Sequence, residues 1–316
     1  MYMKILKTYE DEFKEYLSNG PAPLEMLRNP HYRAIIDFLL SNSESVREDF
    51  FGKMHLAESI DNLLEVMEKG RPLYNQWVQK IGSKERVLSV PKRELENFLG
   101  YFKGFIKTMP VHEKCHGGEQ HWTPRKSLEA HLPCQSAFSF DLASAFENLR
   151  AELVFGFMGE ALYSLNQCDR RNVAGFFAIL CTVKYEEKRG LPQGASISMP
   201  LFNRILYPLD CVLSDRADEK GMVYSRWVDD ITISSSDEKN VRKFFGAVDL
   251  VMNEFPIVEH KIFFQNEEPV YLLGHKIVDN KVLKNSAEER LKCKVGPLNL
   301  NEVYTPDNYR NYAPWG

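Results

Sequence analysis

Residues 222–236, with the sequence MVYSRWVDDITISSS, contain two short runs of apolar and β-branched residues on either side of an Asp-Asp pair. Such runs around a polar corner predict two antiparallel strands joined by a tight turn. Asp229 and Asp230 then lie in the turn, and the apolar arms place that turn at the rim of a sheet. An isolated Asp-Asp in a hairpin is usually a polar turn, so the pair gains meaning only from the rest of the chain.

A third aspartate follows another apolar strand. Residues 137–142 (AFSFDL) predict a strand, and Asp141 lies where it ends. The strand end and the hairpin turn can therefore bring three carboxylates together, and carboxylate oxygens are ligands that Mg²⁺ prefers. Two such ions about 3.5 to 4 Å apart can activate a hydroxyl and stabilise a leaving oxygen. The pattern predicts a two-metal site for phosphoryl transfer.

Composition and charge limit the function classes. The chain has 316 residues, of which 44% are hydrophobic, with a net charge of −4, as in a folded protein of about two domains. Residues 71–130 carry a basic surplus and residues 216–280 an acidic one, which suits a phosphate-holding module beside a metal site, although ordinary solvated faces give the same pattern. Because the chain has neither an apolar run of about 18 residues nor a signal-peptide pattern at its start, we expect a cytoplasmic protein without membrane contact.

A third motif separates the two carboxylate elements. Residues 190–196 (GLPQGAS) place Gly and Pro on both sides of one amide side chain, Gln193. This pattern predicts a rigid bend before a helix, able to press the backbone and Gln193 against a flat partner such as a base or sugar. Further along, residues 200–213 predict one helix. Pro-Gln-Gly alone is weak evidence for any function. It becomes informative only through its position between the two aspartate motifs.

The motifs occur in the order FDLxxAF from Phe140, LPQG from Leu191 and WVDD from Trp227. In this order the chain resembles a bacterial reverse transcriptase of the retron and group II intron-like type, nearest to the antiphage defence-associated enzymes. Residues 86–91 followed by Ser127 and His131 are similar to the fingers region of that family. The resemblance covers roughly residues 80–300.

The resemblance implies an α+β fold, the right-hand polymerase, with an antiparallel palm sheet that carries helices on one face. It assigns residues 1–70 to a helical N-terminal region, 71–136 to the fingers, 137–280 to the palm and 281–316 to a short or vestigial thumb. A fingers-type helical insertion is expected within the palm at about 151–189. The short thumb argues against processive copying of a long duplex.

The same resemblance implies the catalytic residues. Asp141, Asp229 and Asp230 are expected to hold two Mg²⁺ ions, for which Mn²⁺ can substitute, and the main-chain carbonyl of Leu142 is expected to complete one metal. Lys261 is expected near the leaving pyrophosphate as a general acid.

The resemblance also implies residues that contact substrate and primer. Phe146 is expected to be a steric gate whose ring excludes a ribose 2′-hydroxyl, and Arg86 is expected to grip the incoming triphosphate as a planar donor. The expected substrate-binding residues are Arg86, Leu142, Ser144, Ala145, Phe146, Gln193 and Gly194. The expected primer-grip residues are Trp227, Leu273 and Gly274.

The resulting hypothesis is Mg²⁺-dependent DNA synthesis from dNTPs on an RNA template, in antiphage defence. The expected partners are a structured non-coding RNA as template and the DNA product, with a protein partner or a second copy of the chain left open. Two alternatives remain at this point. One is a polymerase that works without a template or from a protein primer, for which Tyr304, Tyr309 and Tyr312 offer hydroxyls. The other is a catalytically inactive palm that binds nucleic acid.

A cluster of histidines and cysteines between residues 112 and 134 offers a second possible metal site. Its irregular spacing favours a structural or RNA-contacting role over a zinc site. The candidates are His112, Cys115, His116, His121, His131 and Cys134.

Overall fold

The computed structural model describes residues 2–42, 50–81, 84–186, 188–237, 241–244, 257, 263–265 and 269–286. The chain forms two compact units, each built from two separate stretches. The first unit combines Met1–Pro110 with Phe146–Ile205, and the second combines Val111–Ala145 with Leu206–Gly316. The four domain ranges expected from the resemblance stay predictions.

Helices and antiparallel strands alternate along the described chain. The helices are α1 (Tyr2–Asn19), α2 (Pro23–Arg28), α3 (Pro30–Ser41), α4 (Phe50–Glu68), α5 (Arg93–Lys107), α6 (Pro124–Glu129), α7 (Ala145–Asn148), α8 (Ala151–Ala161), α9 (Gln167–Leu180), α10 (Ser198–Ile205) and α11 (Tyr207–Asp218). The strands are β1 (Tyr74–Ile81), β2 (Lys84–Pro91), β3 (Ser136–Asp141), β4 (Val183–Tyr185), β5 (Lys188–Gly190), β6 (Val223–Trp227), β7 (Asp230–Ser235), β8 (Phe263–Gln265), β9 (Val270–Leu272), β10 (His275–Val278) and β11 (Lys281–Lys284).

Aromatic packing between helices forms the core of the first unit. The rings of Phe102 on α5 and Phe177 on α9 are stacked with centroids 4.0 Å apart, and Phe98 meets Phe176 edge to face at 5.9 Å. All four side chains are buried. Aromatic residues bury large apolar areas, so this contact holds α5 and α9 together.

The helix predicted at residues 200–213 is wrong as a single element. The structure ends α10 at Ile205 and begins α11 at Tyr207, with Pro208 in the first turn of α11. Proline has no amide N–H and its ring clashes with the preceding turn, so it starts a helix and does not continue one. The break coincides with the change from the first unit to the second.

A four-stranded antiparallel sheet with the order β6-β7-β3-β8 lies in the second unit. Side chains alternate between its two faces, and the strand register decides which side chains share a face. What we call the apolar face carries Phe138, Phe140, Tyr224, Arg226, Ile231 and Ile233. What we call the polar face carries Ser139, Asp141, Ser225, Asp230, Thr232 and Ser234. Helix α11 packs against β6 on the apolar face through Asp210.

His131 joins two strands on the polar face. Its Nδ1 lies 2.7 Å from Ser234 Oγ on β7 and its Nε2 lies 2.7 Å from Ser225 Oγ on β6. A neutral imidazole has one donor and one acceptor nitrogen, which suits two hydroxyl partners. Burial, with smaller contributions from His116 and Lys114, lowers the pKa of His131 to about 3. The ring is therefore a neutral link at neutral pH.

In the described part of the chain, no helix is both long and apolar enough to traverse a bilayer.

The buried imidazole predicts a loss of stability in mild acid. In the unfolded chain His131 binds a proton near its ordinary pKa of 6.5. In the folded chain it binds one only when the pH falls to about 3. The contribution of neutral His131 is therefore complete above pH 6.5 and is lost as the pH falls below it, by at most about 1.4 kcal/mol per pH unit. Urea unfolding between pH 7 and pH 5 would measure this slope. His131→Gln keeps a donor and an acceptor without titrating, so its slope should be flatter, and equal slopes would contradict the assignment.

Candidate active site

The register of β3 against β7 places two of the three predicted aspartates opposite each other. Asp141 is the partner of Asp230, and the Leu142 N–H donates to the Asp229 carbonyl at 3.0 Å just beyond them. Because Leu142 and Asp229 form a hydrogen-bonded position, Asp141 and Asp230 occupy a non-hydrogen-bonded one, where facing side chains are about 4.5 to 5.5 Å apart at Cβ. Both carboxylates belong to the polar face.

The third aspartate lies in the hairpin turn between β6 and β7. Trp227 pairs with Asp230, so Val228 and Asp229 are the two turn residues. Val228 has a φ of 59°, which is rare and strained for a β-branched residue. A positive φ at the first turn residue alone is typical of a type II′ turn, which follows the twist of the strands. The turn thus places the Asp229 backbone opposite Leu142, one position beyond the Asp141–Asp230 pair.

The environment of the aspartates suits a cation. Asp141 is 7% exposed, and burial raises the pKa of Asp230 from 3.8 to about 6. As placed, the described side chains include no group of three or more His, Cys, Asp or Glu residues gathered around one point. The donor set is nevertheless that of a hard divalent ion, because it consists of carboxylates and main-chain oxygen. Ionised Asp230 is costly where it lies, and a bound cation would offset that cost.

The chain turns sharply after Leu142. Leu142 is buried and forms an antiparallel bridge with Ile257. Ser144 is exposed and has a φ of 43°. Ala145 is buried at the start of α7. A positive φ at Ser144 directs the backbone away from the sheet immediately after the metal-ligand candidates.

In the first unit, the LPQG segment (residues 191–194) is fixed by hydrogen bonds. The Ser89 N–H on β2 donates to the Gln193 carbonyl at 2.7 Å, and the Leu191 N–H donates to the Phe146 carbonyl at 2.9 Å. Gly194 has a φ of 117°, and a Cβ there would lie 3.0 Å from Val90 Cγ2, so the position suits only glycine. The segment therefore ties Phe146 to β2.

Two more predicted substrate residues lie in the same unit. Arg86 is exposed on β2 opposite Gln79, on the hairpin face that also carries Val90. The half-buried Phe146 ring packs against Phe202 with centroids 5.1 Å apart. Arg86, Phe146, Gln193 and Gly194 are thus held within one unit, while the three aspartates are held in the other.

The predicted primer-grip residues lie in two turns of the second unit. Trp227 ends β6 opposite Asp230. Leu273 and Gly274 form the turn between β9 and β10 with φ values of 47° and 73°, and Leu273 packs against the apolar cluster around Val270 and Ile277. Lys261, Tyr304, Tyr309 and Tyr312 lie outside the described residues.

The residues considered as zinc ligands make other contacts. His116 Nδ1 lies 2.8 Å from Ser127 Oγ, its ring stacks on Trp122, and burial lowers its pKa to about 4. Cys115 Sγ accepts a hydrogen bond from Arg226 at 3.1 Å. The His116 side chain thus packs within its own segment and against α6, and the Cys115 side chain contacts β6.

Sequence reasoning missed Arg226 and Asp210. Both side chains are fully buried and form an ion pair at 2.7 Å directly behind the hairpin turn. The sequence does contain a sign of this ion pair. Arg226 interrupts the apolar arm of the predicted strand, and a charge buried there requires a partner. The partner itself could not be identified from the sequence pattern.

An antiparallel sheet that carries paired aspartates at a hairpin, together with helices, defines the palm of a right-hand polymerase. Residues 78–277 match the family described as "Reverse transcriptase (RNA-dependent DNA polymerase)". This match covers more than half of the chain, and the protein belongs to that family.

Three curated relatives are retron reverse transcriptases. The chain is 28% identical to the Ec86 enzyme of Escherichia coli over 169 residues, which are 52% of this chain and 50% of that protein. It is 25% identical to the Ec48 enzyme of the same organism, covering 58% and 45%, and 26% identical to the Mx162 enzyme of Myxococcus xanthus, covering 52% and 36%. The chain therefore spans half or less of the length of these relatives.

The chain also matches two solved telomerase structures. The telomerase of Candida albicans matches with a TM-score of 0.46 and 14% identity, covering 73% of this chain and 48% of that one. The apo telomerase of Candida tropicalis matches with a TM-score of 0.47 and 13% identity, covering 67% and 48%.

The raised pKa of Asp230 predicts that its removal stabilises the metal-free protein. Above pH 6 the folded chain carries an ionised carboxylate that burial disfavours, whereas below pH 3.8 the carboxyl is neutral in both folded and unfolded states. Asp230→Asn should therefore raise the Tm by about 2 to 4 °C at pH 8 in EDTA, with a smaller gain at pH 5. The exposed Asp218→Asn is the control and should leave the Tm unchanged. A Tm gain that does not depend on pH would contradict the assignment.

Proposed function

We propose that the protein is an RNA-directed DNA polymerase that adds deoxynucleotides to a 3′-hydroxyl. The observation that carries this proposal is the register of Asp141 against Asp230, with Asp229 in the adjoining turn, in a chain of the reverse transcriptase family. Carboxylates that share one sheet face at a rim can serve phosphoryl transfer, because nucleotide and primer reach them from solvent.

Asp141, Asp229 and Asp230, with the Leu142 carbonyl, would hold the divalent cations of the reaction. We infer Mg²⁺, with two ions, and Mn²⁺ as a substitute. When bound, such ions activate the attacking hydroxyl and neutralise the charge that develops on the phosphates. The carboxylates orient that chemistry, and the burial of Asp230 favours occupation of the site by a cation over an empty ionised site.

Several of the expected substrate-binding residues would contact the incoming nucleotide. Arg86 is exposed and available to donate to the triphosphate, and Gln193 with Gly194 would support the new base pair. Ser144 and Ala145 would line the approach to the sugar, and the Phe146 ring would exclude a 2′-hydroxyl. The packing of Phe146 on Phe202 supports the gate, because a braced ring cannot move aside to admit a larger sugar.

The primer end would meet residues of the second unit. Trp227, Leu273 and Gly274 present a ring and two turn residues, and the fixed turn between β9 and β10 gives the primer a rigid support. Lys261 is proposed as the proton donor to pyrophosphate on the strength of the family resemblance.

The template we propose is a structured non-coding RNA, and the product is DNA. The names of the retron relatives support this inference. We further infer an antiphage role in the cytoplasm, on the strength of the sequence resemblance to defence-associated enzymes, with a protein partner or a second copy of the chain as a further component. A plaque assay with wild-type and Asp229→Ala cells tests the role.

Loss of one metal ligand should abolish synthesis. Purified protein with its co-purified nucleic acid, Mg²⁺ and labelled dNTPs should produce DNA. Asp229→Ala should reduce the rate by about a hundred- to a thousandfold, because one of the three carboxylates proposed to hold the cations is removed. Ribonuclease treatment beforehand should also stop synthesis. Ribonuclease-resistant synthesis would favour an untemplated polymerase, and activity retained in Asp229→Ala would overturn the metal assignment.

Removal of the gate should admit ribonucleotides. Phe146→Ala is expected to raise the ratio of kcat/KM for rNTP over dNTP by about 10- to 100-fold, since a steric barrier of this kind is worth roughly 1 to 3 kcal/mol. Phe202→Leu is the matched control, because it loosens the same aromatic contact without removing the proposed gate, and it should shift the ratio less. An unchanged ratio in Phe146→Ala would eliminate the gate.

A further inference from the structure

A fully buried ion pair lies behind the hairpin that carries the aspartates. The Arg226 and Asp210 side chains are both 0% exposed. Arg226 Nε donates to Asp210 Oδ1 and Nη2 donates to Oδ2, each at 2.7 Å, so the contact is bidentate. The Tyr224 hydroxyl donates to Asp210 Oδ1 at 2.6 Å. The guanidinium is thus fixed in position and in plane.

The same guanidinium reaches the turn. Arg226 Nη1 donates to the carbonyl oxygen of Val228 at 2.9 Å. Val228 is the strained turn residue with a φ of 59°, and it immediately precedes Asp229. A strained backbone persists only where surrounding contacts hold it.

A second segment, around Gly117, also packs closely against the turn. The N–H groups of His116 and Gly117 donate to the Arg226 carbonyl at 2.9 and 3.3 Å. A Cβ on Gly117 would lie 2.3 Å from the Val228 nitrogen, so only glycine permits this approach. Val228 therefore contacts the guanidinium through its carbonyl oxygen and the Gly117 backbone through its nitrogen.

Stability does not account for this arrangement. Taking two charges out of water is costly, and apolar residues of similar volume commonly replace a buried ion pair at little or no loss of stability. The nearby Asp210 carboxylate outweighs the effect of burial and raises the pKa of Arg226, so the charge is permanent. One N–H of this permanent buried charge donates to a carbonyl oxygen of the turn. This contact indicates that the guanidinium fixes the conformation of the turn.

We propose that Arg226, oriented by Asp210, is a positioning residue that holds Val228 in its strained conformation and thereby aims Asp229 and Asp230 at the side where Asp141 lies. Without the bond to its carbonyl, Val228 would relax to negative φ, and the peptide that leads into Asp229 would rotate. Metal ligation tolerates displacements of only about 0.5 Å, so such a rotation would weaken cation binding. The link to cation binding rests on the proposed function.

The test replaces both charges at once. The double variant Arg226→Met/Asp210→Leu leaves no unpaired buried charge and is expected to fold with a Tm close to that of the wild type. Its affinity for Mn²⁺, measured by electron paramagnetic resonance on the whole 316-residue chain, should fall at least about tenfold. Amide exchange in the peptide that spans residues 223–235 should become faster. A folded double variant with wild-type Mn²⁺ affinity and wild-type amide protection would overturn the proposal.

Two single variants supply a control and a second test. Tyr224→Phe removes one donor to Asp210 but keeps the Arg226–Val228 bond, so its Mn²⁺ affinity and amide exchange should match the wild type. Arg226→Lys keeps the charge for Asp210 but lacks the separate Nη1 donor, so it should show the weakened affinity even if the double variant does not fold. Equal loss in Tyr224→Phe and Arg226→Lys would contradict a specific role for the Val228 bond.

The failure of the two proposals can be distinguished. If wild type and Asp141→Asn bind Mn²⁺ equally, the metal site of the proposed function is wrong. Amide exchange of residues 223–235 needs no metal, so faster exchange in Arg226→Lys would still support the positioning of the turn, and unchanged exchange would refute it.

Discussion

The register of β3 against β7 is the constraint on which the site depends. Because side chains alternate along a strand, a slip of one residue would turn Asp141 into the apolar face and Phe140 into the polar one. Burial of Phe138 and Phe140 opposite Ile231 and Ile233 opposes such a slip. The hydrophobic core therefore decides where the carboxylates lie, although none of the apolar side chains takes part in the proposed chemistry.

Each face of the sheet also has a buried polar anchor. On the polar face, His131 links β6 to β7 through two serine hydroxyls. On the apolar face, Arg226 and Asp210 join β6 to α11 and to the hairpin turn. Buried polar groups are costly unless they are fully partnered, so they specify one arrangement of neighbouring segments more strictly than apolar packing does. The hairpin between β6 and β7 is fixed from both faces.

The chain divides into two compact units, and each unit fixes its own set of proposed functional residues. In the first unit, hydrogen bonds join the LPQG segment to β2, which carries Arg86, and to Phe146. The aspartates and the turn between β9 and β10 are fixed in the second. Hydrogen bonds and strand pairing within each unit hold these residues in place.

The sequence by itself determined the local elements: the strand before Asp141, the hairpin at Asp229 and the order of the three motifs, because strand alternation and turn chemistry are short-range properties. The apolar periodicity of residues 200–213 predicts one helix, but Pro208 in the sequence indicates the point at which the structure begins a second one. Only the tertiary structure decided that Asp141 faces Asp230, that Arg226 pairs with Asp210 and that the chain divides into interleaved units. Those choices depend on which distant segments bury each other's apolar surface and satisfy each other's charges, and no local pattern encodes that partner.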